Sequence, residues 1–486
     1  MRVLHSYVNY INQYLPVTNH WLILFSSIPV ALSTGTLFVY SIYSTQLIDK
    51  CDLNTSDSAN LSISATLGTA IGAILGGFVT DHYGTQLPML ISCISISIGY
   101  YWVYYQYELG KHSNIFALLT AMFLVGIGSV SGYFSALKAV TVNFPNLKST
   151  AQSITIASFA ISSLIYSFIF SNWFHSDIPG FLRFLSLSSG IMIFIGFVFI
   201  RVDGHLDHED IIENPNEVTG LLNTPETLLA HVDDLENPHH DIVTDELQNL
   251  DLKDTLTHSI FWYHYIIFAI VQGLGQMYIY SIGFILKAIH YYFEHELDQD
   301  KIPSLSHLQA IHVSIIAVTS FLGRLSSGPI SDFMVYKLNS QRHWVLIIGL
   351  SCMFLAHFMY SIDIRLISLE FIHVRIFLVV LSSMIGFAYG FSFTSYPAIV
   401  SDIFNMKNYS VIWGTTYSAT TLGLILMTKI FGFIYDKNTT SYDKKLKDYV
   451  CAKGSGCYNE TFYITSSFCL IAIILVFGYI FVHRKR

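Results

Sequence analysis

The chain has 486 residues, of which 52% are hydrophobic and only 12% charged, with a formal net charge of −8. A soluble domain carries about 25% charged residues, so a chain this poor in charge cannot cover its own surface, and lipid must do part of the covering. The acid is local: from Asp203 to Asp254 there are 15 Asp/Glu and one basic residue, Lys253, which leaves the rest of the chain net positive, so no nucleic-acid partner is expected and the acidic balance says nothing about a substrate.

A helix that crosses the hydrocarbon layer needs roughly 20 apolar residues at about 1.5 Å each. Runs of that kind place helices at roughly 21–44, 61–80, 86–105, 115–138, 150–173, 181–200, 261–286, 308–331, 343–362, 371–396, 410–434 and 461–483. Lipid offers the backbone no hydrogen bonds, and the runs are too long and continuous for barrel strands, so the expected fold class is an all-α membrane protein of about twelve transmembrane helices. The first run, from Trp21, has no small-residue cleavage site and reads as a signal anchor.

In chain order, the first helix carries Gly35-Thr36-Leu37-Phe38-Val39-Tyr40-Ser41-Ile42. The loop after it holds Cys51 and the glycosylation acceptors Asn54 and Asn60. Gly76-Gly77-Phe78-Val79-Thr80-Asp81-His82-Tyr83-Gly84 joins helices 2 and 3, Lys138 ends helix 4, and Asn143-Phe144-Pro145 follows it. Lys138, like Arg183, Arg375 and Lys429 near other helix ends, reads as a snorkelling side chain. Cys93, Cys352 and Cys469 lie in apolar runs and read as packing residues.

Residues 201–257 are polar and acidic, which argues for a disordered linker between an N-terminal half (1–200) and a C-terminal half (258–486). Within it, Glu217, Leu221 and Leu222 fit an acidic dileucine sorting signal that an adaptor would read. Its scattered histidines, His205, His208, His231, His239 and His240, read as solvated rather than metal-binding.

In the second half, helix 7 carries Gln272 and Gln276 within a run ending Gly275-Gln276-Met277-Tyr278-Ile279-Tyr280-Ser281-Ile282. An amide facing lipid would be unsatisfied, so the two glutamines are expected to face a cavity. Tyr40 and Tyr280 lie about 10 Å from their helix centres, where an interfacial aromatic belt and a cavity wall are both open readings. Helix 8 ends Gly323-Arg324-Leu325-Ser326-Ser327-Gly328-Pro329-Ile330-Ser331-Asp332. Arg324 lies eight residues before Asp332, so about 12 Å up the helix, where a charge is costly unless it meets a partner or a cavity. It either forks onto an anionic ligand or pairs with Asp332 or helix-end carbonyls. Helix 10 holds Tyr389 and runs into Pro397-Ala398-Ile399-Val400-Ser401-Asp402-Ile403-Phe404. The last loop holds Asn438, Cys451, Cys457 and Asn459. The two cysteines, in Cys-Ala-Lys-Gly-Ser-Gly-Cys, are expected to bridge in an oxidising lumen, with Cys51 a competitor for either.

Three features repeat in order: Gly35–Ile42 matches Gly275–Ile282 at an offset of 240, Asp81 matches Asp332 at 251, and Pro145 matches Pro397 at 252. The jump falls where the loop after helix 7 is longer than that after helix 1. Six spans per half is even, so the halves form parallel repeats. Asn54, Asn60, Asn438 and Asn459 all fall on the side opposite the termini, which places both termini in the cytosol; the Lys/Arg balance between sides does not decide.

The segment Gly76–Gly84 resembles the loop motif Gly-x-x-x-Asp-x-x-Gly of the major facilitator superfamily, with Thr85 and Gln86 where that family usually has basic residues. The resemblance implies a conformational latch formed by Gly77, Asp81, Gly84 and Asp332. It further implies alternating access around a mid-membrane site lined by helices 1, 4, 7 and 10. With the helix 8 and helix 10 motifs, the chain resembles the fungal monocarboxylate-transporter homologues (Mch-type) of the vacuolar membrane and, more distantly, plant nodulin-like transporters. The implied substrate is a small organic anion, met by Arg324 with Gln272, Gln276, Tyr280 and Tyr389, and the implied coupling ion is a proton. The implied location is the vacuolar membrane, with the plasma membrane as the alternative. A non-transporting membrane sensor or adaptor is the rival class. The chain has no Gly-x-x-x-x-Gly-Lys-Ser/Thr loop and no Cys/His/carboxylate cluster, so neither an ATP-driven pump, an enzyme, a metal site nor a cofactor is expected.

Overall fold

The computed structural model describes residues 19–53, 55–174, 177–202, 247–296, 304–363, 370–439, 441–443, 448–451 and 453–483. Among them twelve helices are long and apolar enough to cross a membrane. They are α1 (His20–Val39), α2 (Asn60–Tyr83), α3 (Gln86–His112), α4 (Ile115–Asn143), α5 (Pro145–Phe174), α6 (Ile178–Phe199), α7 (Ser259–Phe293), α8 (His307–Tyr336), α9 (His343–Ser361), α10 (Phe371–Ile403), α11 (Met406–Asn438) and α12 (Asn459–Val482). The side where α1 begins and α12 ends is called the terminus side below, and the opposite face the far side.

Small residues set the packing inside each half. In the first, a Cβ on Gly68, Gly72 or Gly76 of α2 would strike Phe123, Ile127 or Ser131 of α4. In the second, α8 and α10 meet in the same way, through Gly323 against Phe387 and Gly390 against Ser320. Lipid gives no hydrophobic drive between helices, so close backbone approach is what lets dispersion hold such pairs together. The duplication seen in the sequence is thus repeated in the packing.

It is not repeated everywhere in the backbone. The first helix begins at Asn19, whose side chain accepts from the Trp21 amide. It tightens to a 3₁₀ turn over Gly35–Val39 and resumes as an α-helix over Tyr40–Cys51. The matching stretch of α7 is unbroken from Ser259 to Glu296. Gly35 is the contact point: a Cβ there would collide with the Phe159 carbonyl and Ser162 on α5.

Two expectations are corrected. The linker is folded at its second end: Leu247 is buried, Gln248 Nε2 donates to the Asp402 carbonyl at 3.0 Å, and Leu252–Thr257 is a short helix. Residues 203–246, with Glu217, Leu221, Leu222 and the scattered histidines, lie outside the described residues. The fold class is all-α as expected, with one short hairpin among the described residues, Ser441–Asp443 pairing antiparallel with Asp448–Val450 in the far-side loop before α12. Beside that hairpin Cys451 and Cys457 form a disulfide, their Cα atoms 6.0 Å apart. Cys51 does not compete for either. It is a buried thiol whose Sγ faces the Gln106 carbonyl at 3.8 Å, and burial raises its pKa.

The seam between α7 and α11 is testable with two glycines of one helix. A Cβ on Gly423 would collide with the Ala269 carbonyl, whereas one on Gly432 meets nothing within 4 Å. Gly423→Ala should destabilise the detergent-purified protein by about 1–3 kcal/mol through overpacking. Gly432→Ala should be neutral or up to about 1 kcal/mol stabilising. Equal melting temperatures for the two variants would contradict the seam.

Candidate solute site and interdomain latches

The halves meet on the terminus side through two equivalent arrangements. Asp81, near the end of α2 and almost fully buried, accepts from the backbone amides of Ser410 (3.2 Å) and Val411 (2.9 Å). These belong to the first turn of the α-helical part of α11, which starts at Tyr409. A helix start exposes unpaired N–H groups and a partial positive charge, so it holds a carboxylate well. Gly77 is required one turn earlier, since a Cβ there would strike the Ser410 backbone. Gly84, at φ 78°, supplies the left-handed turn into α3.

Asp332 on α8 does the same to the first half. It accepts from the amides of Ser149 (3.3 Å) and Thr150 (2.8 Å) and from the Thr150 hydroxyl (2.7 Å), at the start of the α-helical part of α5. Gly328, one turn earlier, lies against the Ser149 carbonyl and Ser153.

The cations come from different places. Thr85 and Gln86 carry no charge; Thr85 Oγ1 donates to the Ile200 carbonyl at 3.0 Å and Gln86 is buried. The positive charge beside Asp81 is Lys138, from α4, at 2.6 Å, with both side chains buried. Lys138 is therefore not a snorkelling residue. Beside Asp332 it is Arg342, in the α8–α9 loop, whose Nη1 lies 2.7 Å away. The Arg342 Nε also meets Asp402 at 2.6 Å, and Lys148 of the first half meets Asp402 at 2.5 Å. Burial opposes the Arg342 charge, but Asp402 and Asp332 outweigh it and hold its pKa above the ordinary value.

Arg324 belongs to neither latch. It is 6% exposed, and its Cζ sits 4.5 Å from the Phe393 ring centroid and 5.6 Å from that of Tyr389, both on α10. Its Nε and Nη1 have no hydrogen-bond partner among the described residues, so the pairing with Asp332 or helix-end carbonyls is not what the structure contains. Its electrostatic neighbours include Tyr133 on α4 and Tyr417 on α11, so the guanidinium faces the space between the halves.

The glutamines of α7 approach the same two rings. Phe268, Gln272 and Gln276 follow one another at four-residue spacing and share a face. Phe268 meets Phe393 at 6.2 Å between centroids, and Gln276 Nε2 donates to Tyr389 Oη at 3.4 Å. Gln272, between them, is fully buried with both amide heteroatoms unpartnered. Tyr280 is 64% exposed and is an electrostatic neighbour of Tyr389 and Tyr417. Tyr40 is not brought to this site; its ring packs edge-on against Tyr43 in its own half.

Aromatic rings join the halves beside Arg324. Phe134 of α4 meets Trp413 (6.2 Å) and Tyr417 (5.6 Å) of α11, and both also meet Phe393. Trp413 lies four residues, about 6 Å, into its helix, so this layer lies between Arg324 and the terminus side. Sequence reasoning missed Tyr133, Phe134, Phe393, Trp413 and Tyr417. Among the described residues Arg324 is thus a buried guanidinium whose Nε and Nη1 have no hydrogen-bond partner, in cation–π contact worth about 0.5–2 kcal/mol with rings that Phe268 and Gln276 of α7 also approach.

The model of the Major Facilitator Superfamily matches residues 22–360 and 302–486. The chain belongs to the major facilitator superfamily. It is a multi-pass membrane protein of a transporter family. It is similar to an uncharacterized membrane protein of Saccharomyces cerevisiae, with 29% identity over 79% of this chain and 81% of that one. It is also similar to the probable transporter MCH1 of Debaryomyces hansenii, with 24% identity over 87% and 86%. Among solved structures it superposes on the proton:xylose symporter XylE, bound there to 6-bromo-6-deoxy-D-glucose. That match has a TM-score of 0.64 and 15% identity over 95% and 96% of the two chains.

The remaining candidate residues lie apart from the cavity. Asn60 is exposed at the start of α2, Asn459 opens α12, and Asn438 is half-buried with its amide donating to the Ile434 carbonyl at 3.1 Å. Asn54 lies outside the described residues.

The Asp81–Lys138 pair yields a thermodynamic cycle. Lys138→Met should cost about 3–5 kcal/mol, because it leaves Asp81 charged and buried without its cation. Lys138→Met combined with Asp81→Asn should recover part of that loss. Thermal unfolding in detergent measures both, and a double variant no more stable than Lys138→Met would show that the two residues are not coupled.

Proposed function

We propose that this protein is a secondary transporter that carries a small organic anion, of monocarboxylate type, by alternating access. The observation that carries the reading is Arg324: a buried guanidinium that has, among the described residues, no counter-charge and no hydrogen-bond partner for Nε or Nη1. A carboxylate would accept from Nε and an Nη in a planar fork. Gln272 and Gln276 would hold the remainder of a small polar solute, and Tyr280 and Tyr389 would wall the cavity. The resemblance to the Mch-type homologues points to the same solute class.

In the transport cycle, Asp81 and Asp332 hold the terminus side shut. Opening it means pulling α11 from Asp81, and α5 and Lys148 from Asp332 and Asp402. With termini in the cytosol, the far side is the lumen. Asn54, Asn60, Asn438 and Asn459 would then be open to glycosylation there, and a Cys451–Cys457 bridge suits an oxidising compartment. The Glu217, Leu221 and Leu222 signal would face cytosolic adaptors and direct the protein to a vacuolar membrane. A proton is the coupling ion in this reading.

Ligand binding to the native state raises stability by about 2.7 kcal/mol when the ligand is at 100 times its Kd. Lactate and pyruvate should therefore raise the melting temperature of the purified protein, and neutral xylose should not. Arg324→Gln should abolish the shift. Arg324→Lys should weaken it sharply, because the charge stays but the fork is lost. An undiminished carboxylate shift in Arg324→Gln would overturn the reading. Lactate flux into reconstituted vesicles then separates a transporter from a sensor that only binds.

A further inference from the structure

The second half contains a buried hydrogen-bonded chain that the solute site does not use. His312 of α8 is 1% exposed, and its Nδ1 lies 2.6 Å from Ser382 Oγ on α10. Ser382 Oγ lies 2.6 Å from Tyr278 Oη on α7, and Tyr278 Oη lies 2.6 Å from Tyr360 Oη on α9. Tyr278, Tyr360 and Ser382 are all buried. His312 Nε2 has no hydrogen-bond partner among the described residues. The Asp and Glu residues of the described spans lie towards the helix ends, as Asp81, Glu108, Asp332, Asp402, Asp436 and Glu460 do, so the interior carries no carboxyl group to bind a proton.

We propose that His312 is a proton-binding site, loaded from the far side through Tyr360, Tyr278 and Ser382. Each of the three hydroxyls can donate one hydrogen bond while accepting another, as a relay requires. Tyr360 lies one residue before the far-side end of α9. Beyond it stand Tyr458, whose ring is 6.2 Å from that of Tyr360, and Asp363, which accepts from Ser455 Oγ at 3.0 Å. That carboxylate is placed to collect protons at the mouth.

The transfer balances without any other reactant. A hydronium gives a proton to Tyr360 Oη; the Tyr360 hydroxyl proton passes to Tyr278 Oη, the Tyr278 proton to Ser382 Oγ, and the Ser382 proton to His312 Nδ1. The three hydroxyls each gain one proton and lose one, the hydronium loses one to become water, and the imidazole gains one to become imidazolium with its Nε2–H already in place. The groups facing His312 are Ser382 and Arg375 from α10 and Tyr278 from α7, with Tyr360 of α9 one bond further on. Arg375 is the charged one, and it opposes the imidazolium. A proton taken up from the far side is therefore released again when the pH on that side rises, which is the reversibility a coupling site needs.

This inference rests on the transporter reading but not on the identity of the solute, so its test uses the proton alone. The full chain is reconstituted in liposomes on a solid-supported membrane, and the transient charge movement after a pH jump is recorded with no solute present. Wild type should show a charge displacement, and so should Gly432→Ala, whose added Cβ meets nothing within 4 Å. His312→Gln should fall to the level of protein-free liposomes. Tyr278→Phe and Ser382→Ala keep the imidazole but break the relay, and should slow the displacement at least tenfold. No displacement in wild type, or a full displacement in His312→Gln, overturns the proposal. If His312→Gln does not assemble, wild-type rates in both Tyr278→Phe and Ser382→Ala overturn it instead. Loss of the carboxylate reading with the His312-dependent charge intact would remove the anion and leave the proton site standing.

Discussion

A buried carboxylate resting on the first turn of a helix in the opposite half is the interaction on which the rest of this structure depends. It occurs twice, with Asp81 under α11 and Asp332 under α5. Each needs a glycine one turn earlier so that the backbones can approach, and each needs a cation because a lone charge in that position is costly. Hydrogen bonds to a charged group contribute about 1.5–3 kcal/mol each. The two junctions thus tie the halves together on the terminus side through a few charge-assisted hydrogen bonds.

The arginines of the second half divide the work according to what surrounds them. Arg342 is buried between Asp332 and Asp402 and is compensated in this closed arrangement, so it stabilises the arrangement itself. Arg324, eight residues before Asp332, lies over the rings of Phe393 and Tyr389, and no ion pair to it is found among the described residues. Burial therefore costs Arg324 more than it costs Arg342, which has two carboxylates.

Much of this was legible in the sequence because it is local. Continuous apolar runs gave twelve spans, and the loop motif around Asp81 pointed to a carboxylate on a neighbouring helix end, which is where Asp81 lies. The cations were not legible. Lys138 is 57 residues from Asp81 and looks like any lysine at a helix end, and Thr85 and Gln86 suggested that no cation was present. The aromatic layer was hidden for a different reason: with 31 Tyr and 36 Phe in the chain, Tyr133, Phe393 and Tyr417 have no contrast against their neighbours. The folded stretch 247–257 was read as linker because its composition is acidic, yet Leu247 and Gln248 fix it to the α10 end through contacts that composition does not report.

The duplication also explains why the chemistry lies in one half. By the offsets of 240, 251 and 252 that align the repeats, the first-half counterpart of Gln272 is Leu32, that of Arg324 is Ala73, that of His312 is Leu61 and that of Tyr389 is Leu137. These four have apolar counterparts, whereas Gln276 and Tyr280 match Thr36 and Tyr40. Ala73 shows why this is a constraint. Its carbonyl lies where a Cβ on Gly414 would fall, so α2 and α11 touch there, backbone to backbone, just above the Asp81 latch. A guanidinium at that position would force the seam apart or be trapped in it without a partner. At the α8 equivalent, Gly323 brings α8 against α10 instead, and the next residue, Arg324, is left facing the cavity. One half thus carries the charge and the other supplies the surface that closes over it, an asymmetry that two equivalent latches permit because neither of them uses the cavity residues.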